Sequence, residues 1–162
     1  MKTRSITLFT ILLITGSMLT AAHHANAEGS CADHIIGHYF ATQEALAADD
    51  FDKALSTTKA LLAAQKDNGC SKDIGTAIQA ILKTSDIKGA RAAFKSLSDL
   101  VIPLVASKEI KSTQAHLVHC PMAFDFTGAS WLQKDKAVAN PYFGSQMFAC
   151  GAVKESFGTE NK

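Results

Sequence analysis

The sequence feature that most constrains the fold is a helical repeat of apolar side chains over residues 31–106. Ile36, Tyr39 and Phe40, for example, fall on one broad face of a helix. Short polar breaks separate four such segments, so neighbouring helices are expected to run antiparallel. The first two cover about residues 32–48 and 51–65, the third begins after Ser71, and the fourth begins after Asp86. The pattern predicts an all-α protein in which residues 28–106 form an up-down four-helix bundle.

The remaining residues follow no helical repeat. Residues 107–157 are punctuated by Pro and Gly and contain the only Trp of the chain. About 50 residues with this many breaks can hardly bury a core of their own, so we expect a loop-rich Cys/Met cap that packs on the bundle within one domain. Residues 158–162 are expected to form a disordered tail. The formal net charge of +1 gives no reason to expect nucleic acid as a partner.

The first 27 residues have the features of a secretory signal peptide. Lys2 and Arg4 provide a basic start, an apolar stretch follows, and Ala25-Asn26-Ala27 offers a small-x-small cleavage site. The apolar stretch is shorter than the roughly 20 residues that a membrane span needs. We therefore expect cleavage after Ala27, a periplasmic or secreted protein, and no membrane span in the mature chain.

The first of two sulfur-rich motifs is Cys120-Pro121-Met122. Pro121 favours extended backbone at the residue before it, and in extended backbone residues two apart point to the same side. The thiol and the thioether of this motif are therefore expected to face one way. His116 and His119 precede the motif and are possible additional imidazole ligands.

The second motif lies between Asn140 and Gly151. Asn140 followed by Pro141 resembles the start of a helix, and Gly151 lies where that helix would end. A short helix here would place Met147 and Cys150, three residues apart, on one face. The sequence thus predicts a second pair of sulfur atoms that its own local structure aligns.

Two thiolates and two thioethers form a soft ligand set that suits Cu(I) or Ag(I), and imidazole would extend the choice to Zn(II). The motifs predict a metal site formed by Cys120, Met122, Met147 and Cys150. The alternative is a disulfide between the two cysteines, with both Met side chains packed in the core. A thiolate at a helix C-terminus is disfavoured by the helix dipole, which argues for the disulfide. On these residues alone both interpretations stay open.

The C-terminal motifs resemble a family of exported bacterial domains of unknown function. The resemblance extends from about His34 to Val153, and similar motifs occur in some periplasmic adaptor subunits of copper/silver efflux systems. It implies heavy-metal handling, possible contact with a periplasmic efflux component, and the four sulfur ligands named above. This chain lacks the long hairpin and lipoyl-like portions of those adaptors, so it would be free-standing. The matching residues are Cys120-Pro121-Met122-Ala123, Trp131-Leu132, Asn140-Pro141-Tyr142-Phe143-Gly144, Met147 and Cys150-Gly151.

Cys31 has two candidate roles. With His34 and His38 it has a spacing that can hold a metal ion. Cys70 competes for it, because the start of the first helix and the connection between the second and third helices lie at the same end of an up-down bundle. We favour a structural disulfide between Cys31 and Cys70.

Other function classes have weaker support. The chain has no G-x-S-x-G, H-E-x-x-H or C-x-x-C motif, and His119 would point away from Cys120 in extended backbone, so we do not expect an enzyme. A metal-free interaction module with two disulfides, docking through Trp131, Tyr142 and Phe143, is the alternative. The sequence therefore predicts a periplasmic copper-binding protein that is accessory to metal efflux or homeostasis.

Overall fold

A computed structural model describes residues 30–107 and 110–158 of the chain. The predicted signal peptide and most of the predicted tail lie outside the described residues. The four predicted helices are present in the first part, and each packs against the next. They are α1 (Cys31–Ala47), α2 (Phe51–Asp67), α3 (Lys72–Leu82) and α4 (Ile87–Ala106).

Polar residues fix where each helix begins. Asp50 accepts a hydrogen bond from the backbone N–H of Lys53 at 2.9 Å, and Asp86 accepts one from Gly89 at 2.7 Å. Such bonds satisfy backbone donors that have no partner within the helix. Ser30 and Ser71 cap α1 and α3 in the same way. The short polar breaks in the sequence therefore mark the true helix boundaries.

The prediction of an all-α fold is wrong, because the C-terminal cap contains an antiparallel sheet and the protein is mixed α/β. The strands are β1 (Ala115–Cys120), β2 (Ala129–Gln133) and β3 (Ala152–Phe157), in the order β2-β1-β3. β1 is buried along most of its length, whereas β3 is exposed at every residue except Phe157. Neither β1 nor β3 shows the alternation of polar and apolar residues that identifies a strand in a sequence.

The sheet packs on the helices through β2, which contacts α1 and α4. A row of aromatic rings joins the two layers: Tyr39 lies 5.0 Å from Phe94, Phe94 lies 6.3 Å from Tyr142, and Tyr142 lies 5.6 Å from Trp131. The Tyr39 hydroxyl shares a hydrogen bond with Ser98 and accepts one from the Leu132 backbone. Helices and sheet therefore share one core.

The predicted disulfide between Cys31 and Cys70 is confirmed, with the two Cα atoms 5.4 Å apart. It connects the start of α1 to the residue before Ser71, which caps α3. Cys31 is therefore not available as a metal ligand with His34 and His38, both of which are exposed on α1. Within the described ranges, no helix combines the length and the apolar character needed to cross a membrane.

Candidate functional site

The two remaining cysteines lie side by side. Cys120 ends β1 and is fully buried, while Cys150 precedes β3 and is half-buried. Their sulfur atoms are 2.8 Å apart, and both are free thiols in this structure. The structure thus brings the two sequence motifs together through their cysteines, and such proximity is needed both for a disulfide and for a metal ion that the two residues share.

Pairing of β1 with β3 brings the cysteines together. His119 pairs with Ala152 in the antiparallel register, which places Cys120 beside the chain that enters β3. Gly151 adopts a φ of +136°, and a Cβ there would lie 2.9 Å from the Trp131 ring. Glycine at this position therefore lets the backbone pass close to the ring and turn Cys150 toward its partner.

Asn140 fixes the segment that carries Cys150. Its buried side chain accepts hydrogen bonds from the backbone of Tyr142 at 2.8 Å and of Phe143 at 3.2 Å, and it donates one to the Cys150 carbonyl at 2.8 Å. Asn140 therefore caps the following turn, as the sequence predicts. That turn leads into a 3-10 helix, Gly144–Met147, instead of the predicted longer helix.

The neighbouring thiol changes the acidity of Cys150. Its hydrogen bond with Cys120, together with partial desolvation, raises the pKa of the Cys150 thiol to about 11. At neutral pH this thiol is therefore protonated, and a metal ion that bound the pair would have to displace its proton.

The two methionines lie near the cysteines in the chain but have different surroundings. Met122 has helical backbone angles (φ −87°, ψ −12°), so the extended geometry predicted for Cys120-Pro121-Met122 ends at Cys120. Its side chain is 37% exposed. Met147 ends the 3-10 helix, is half-buried, and accepts a hydrogen bond from the Cys150 backbone at 3.0 Å. Met147 is therefore held one turn before Cys150, whereas Met122 projects toward solvent.

The structure does not bring either histidine to the cysteines. His119 lies on the opposite face of β1 from Cys120 and is hydrogen-bonded to Ser130 at 3.0 Å. His116 shares the face of Cys120 but lies four residues away, about 13 Å along the strand. It is buried and hydrogen-bonded to Ser156 at 2.7 Å. Among the described residues, no group of three or more His, Cys, Asp and Glu side chains could hold a metal ion.

Two aromatic residues of the C-terminal motifs, Trp131 and Tyr142, are buried where the cap packs on the helices. Trp131 is fully buried and its ring N–H donates to Gln133 at 2.9 Å. The Tyr142 hydroxyl donates to the Ser130 carbonyl at 2.7 Å. Burial of these two rings supports packing of the cap onto the helices, and it removes them from the surface that a docking partner could reach.

Sequence reasoning missed a strained turn directly after the first motif. Phe124, Asp125 and Phe126 all have left-handed backbone angles, with φ of 53°, 53° and 66°. This conformation costs on the order of 1 kcal/mol for each non-glycine residue. Phe126 is 78% exposed, so the turn presents an aromatic ring to solvent six residues after Cys120. Asp125 is of a residue type that tolerates this conformation, but the two phenylalanines on either side of it are not.

Sequence reasoning also missed an ion pair between Asp49 and Arg91, which touches the segment leading to Cys150. Asp49 was recognisable only as part of the polar break before α2. The two residues are 42 positions apart, and nothing in the local pattern links them.

One family model matches the chain, over residues 35–113, and its description is "Protein of unknown function (DUF3347)". The matched region covers most of α1, all of α2 to α4, and the connection to β1. It ends before Cys120, so the resemblance of the C-terminal motifs to efflux adaptors stays a prediction. No curated protein and no solved structure matches the chain significantly.

Proposed function

We propose that this chain is an exported protein that binds one soft monovalent metal ion, Cu(I) or Ag(I), between Cys120 and Cys150. The observation that supports the proposal is that the sulfur atoms of these two free thiols lie 2.8 Å apart, while the other two cysteines, Cys31 and Cys70, form a disulfide. Thiolate and thioether ligands select Cu(I) over harder ions. The metal is cargo in this proposal and not a structural component.

The surroundings of the thiols favour a soft ion over Zn(II). A structural zinc site takes four N, S or O ligands. His119 is next to Cys120 in the chain but lies on the opposite face of β1, which leaves the thioethers of Met122 and Met147 as the donors nearest in the chain to these thiols. Met147 is the better placed, since its backbone is tied to that of Cys150. His116 and His119, both engaged with serine hydroxyls away from the thiol pair, do not contribute.

The wider role that we propose is accessory to metal efflux or homeostasis in an oxidising compartment. The disulfide between Cys31 and Cys70 supports such a compartment, because disulfides are rare where thiols are kept reduced. The likeness of the C-terminal motifs to efflux adaptors supports a periplasmic efflux component as partner.

The test is a thiol count and a native mass on mature protein purified from the periplasm, with and without added Cu(I). We expect two free thiols that become protected as one copper ion binds. Cys150→Ser should weaken Cu(I) binding roughly 100-fold and Met147→Ala roughly tenfold. His34→Ala, which changes an exposed residue on α1, is the matched control and should bind as the wild type does.

A metal-free module with a second disulfide is the other candidate. The same short distance between the sulfur atoms favours it, since little movement separates the thiol pair from a covalent bond. Absence of free thiols in the periplasmic protein, together with no copper uptake after mild reduction, would overturn the metal proposal and leave this one. Uptake that is equal in the wild type and in Cys150→Ser would place the metal elsewhere.

A further inference from the structure

The segment that carries Cys150 is seated on the helices by Arg91 of α4. The Nε atom of Arg91 donates to the Pro141 carbonyl at 2.9 Å, and its Nη2 atom donates to the Leu46 carbonyl near the end of α1 at 2.8 Å. One guanidinium group thus bridges two helices and the start of this segment. Arg suits the role because its planar fork has several donors in fixed directions.

Asp49 binds both Arg91 and the segment that carries Cys150. Its carboxylate accepts from Arg91 Nη2 at 2.5 Å and from the Ser145 backbone N–H at 2.9 Å. Hydrogen bonds from Ser145 and Arg91 lower the pKa of Asp49 to about 2. The carboxylate is therefore ionised, and the contact to Ser145 present, throughout the range in which the protein would function.

Gly144 lies directly over this ion pair. Its φ is +61°, and a Cβ at this position would overlap the guanidinium of Arg91 and the carboxylate of Asp49. Any side chain here would have to push the ion pair away from the segment. The glycine is therefore needed for close contact as well as for its backbone conformation.

Hydrogen bonds connect Gly144, through Asn140, to the backbone of Cys150. The Gly144 N–H donates to the Asn140 carbonyl at 3.0 Å, and the Asn140 side chain donates to the Cys150 carbonyl at 2.8 Å. The start of the segment is thus hydrogen-bonded to its end. The contacts that fix the segment on the helices therefore also fix the position of the Cys150 sulfur. Cys120, at the end of a paired strand, does not depend on these contacts in this way.

We propose that Asp49, Arg91 and Gly144 form a clamp that positions Cys150 against Cys120. The clamp is positioning machinery, because the hydrogen bonds described for its three residues run to backbone groups and between Asp49 and Arg91. The inference rests on the proposed function for its purpose, since a two-thiol metal site needs both sulfur atoms at a fixed separation. It assigns to the helical region, where the family match lies, a role in the chemistry of the C-terminal cap.

The effective concentration of the two thiols measures positioning without any metal. In a glutathione buffer the pair reacts with glutathione disulfide: one S–S bond forms between Cys120 and Cys150, the glutathione S–S bond breaks, and both thiol protons go to the released glutathione. The equilibrium constant of this exchange falls when the protein holds its thiols less closely. Alkylation followed by peptide mass spectrometry measures it, with the Cys31–Cys70 disulfide as an internal control.

Asp49→Asn is the informative variant, because it keeps the size of the side chain and removes the charge that Arg91 contacts. Asp99→Asn is the matched control, since the salt bridge of Asp99 is to Lys95, four residues earlier on α4, at 2.7 Å. We expect Asp49→Asn to lower the exchange constant about tenfold and to weaken Cu(I) binding similarly, with Asp99→Asn unchanged. Gly144→Ala should act in the same direction as Asp49→Asn.

The outcomes separate this inference from the proposed function. Equal exchange constants for wild type, Asp49→Asn and Asp99→Asn would overturn the clamp, whether or not copper binds. A lowered constant in Asp49→Asn with no copper binding in the wild type would support the clamp and overturn the metal proposal. An equal loss in Asp49→Asn and Asp99→Asn would indicate a general effect of charge removal and would also overturn the clamp.

Discussion

Asn140 holds the segment that carries Cys150 through three hydrogen bonds of its side chain. Its fully buried amide accepts from two backbone N–H groups and donates to the Cys150 carbonyl. Asn140→Ala would leave these backbone groups without a partner in the interior. Each unsatisfied buried group costs about 1–3 kcal/mol, so we expect the variant to lose about 3 kcal/mol of unfolding free energy.

Urea denaturation checks this value, and Asn68→Ala provides the comparison. Asn68 also hydrogen-bonds a carbonyl through its side chain, but it does so at the exposed end of α2. Its replacement should cost roughly 0.5 kcal/mol. Equal losses in the two variants would mean that the buried amide of Asn140 is not what holds the segment.

Asp33 is a second residue whose role can be measured, through pH. Burial raises the pKa of Asp33, but hydrogen bonds from Ser112, Lys111 and Ser30 outweigh it and lower the pKa to about 2. The usual value in an unfolded chain is ~3.9. Because the folded pKa is the lower one, the stabilisation is fully present above about pH 4 and is lost as the pH falls through 2.

Unfolding free energies measured between pH 5 and pH 2 test this sign. The wild type should lose stability over that range, and Asp33→Asn should lose less. Part of the pH dependence should persist in the variant, because the pKa of Asp49 is also lowered to about 2. A variant with the full wild-type slope would contradict the role given to Asp33. Ser112→Ala, which removes one of the donors, should give an intermediate slope.

Among the elements, the helices were predictable and the strands were not, for a physical reason. The helices alternate buried and exposed faces at helical spacing, and their caps are polar residues that the sequence displays. β1 is buried over most of its length and β3 is exposed over most of its length, so neither has the two-residue alternation that identifies a strand. Pro121, Gly128 and Gly151, at the connections, made the region resemble loops.

The same misassignment limited what could be predicted of the site. Pro121 correctly predicted extended backbone at Cys120, but Met122 has helical angles. Asn140 was correctly predicted to cap the next turn, but that turn leads into a short 3-10 helix and not the predicted longer helix. The positions of His116 and His119 follow only from a strand, where one residue changes the face and four residues cover about 13 Å. The clamp residues could not be predicted from the sequence, because the contact between α4 and the cap joins residues that only the tertiary fold brings together.

The disulfide between Cys31 and Cys70 stabilises the arrangement of whole helices. It closes a loop of 39 residues that contains α1 and α2, for which the chain-entropy model gives about 4 kcal/mol of stabilisation. We therefore expect the double variant Cys31→Ala, Cys70→Ala to unfold at lower urea concentration by an amount that corresponds to this value.

A reductant provides the control for this prediction. It should lower the stability of the wild type toward that of the double variant and leave the double variant itself unchanged. A reductant that destabilised the double variant further would show that stability depends on a bond between Cys120 and Cys150 instead.

For the whole molecule, the row of rings from Tyr39 to Trp131 implies that helices and sheet unfold together. The single Trp of the chain lies in β2, so its fluorescence reports on the sheet, whereas far-ultraviolet circular dichroism reports mainly on the helices. We expect the two signals to change at the same urea concentration, as they do in a cooperative transition. Two separate transitions would mean that the cap is an independent unit.

The width of the sheet has a consequence for behaviour at high concentration. β3 is exposed along nearly its whole length and has a ladder partner on one side only, which leaves a row of backbone groups open to a second chain. Lys154 and Glu155 lie in the middle of this strand. Charges at such an edge discourage strand-to-strand association between copies. We therefore expect these two charged side chains to oppose edge-to-edge association of copies at high concentration, in a protein that also carries two free thiols, Cys120 and Cys150.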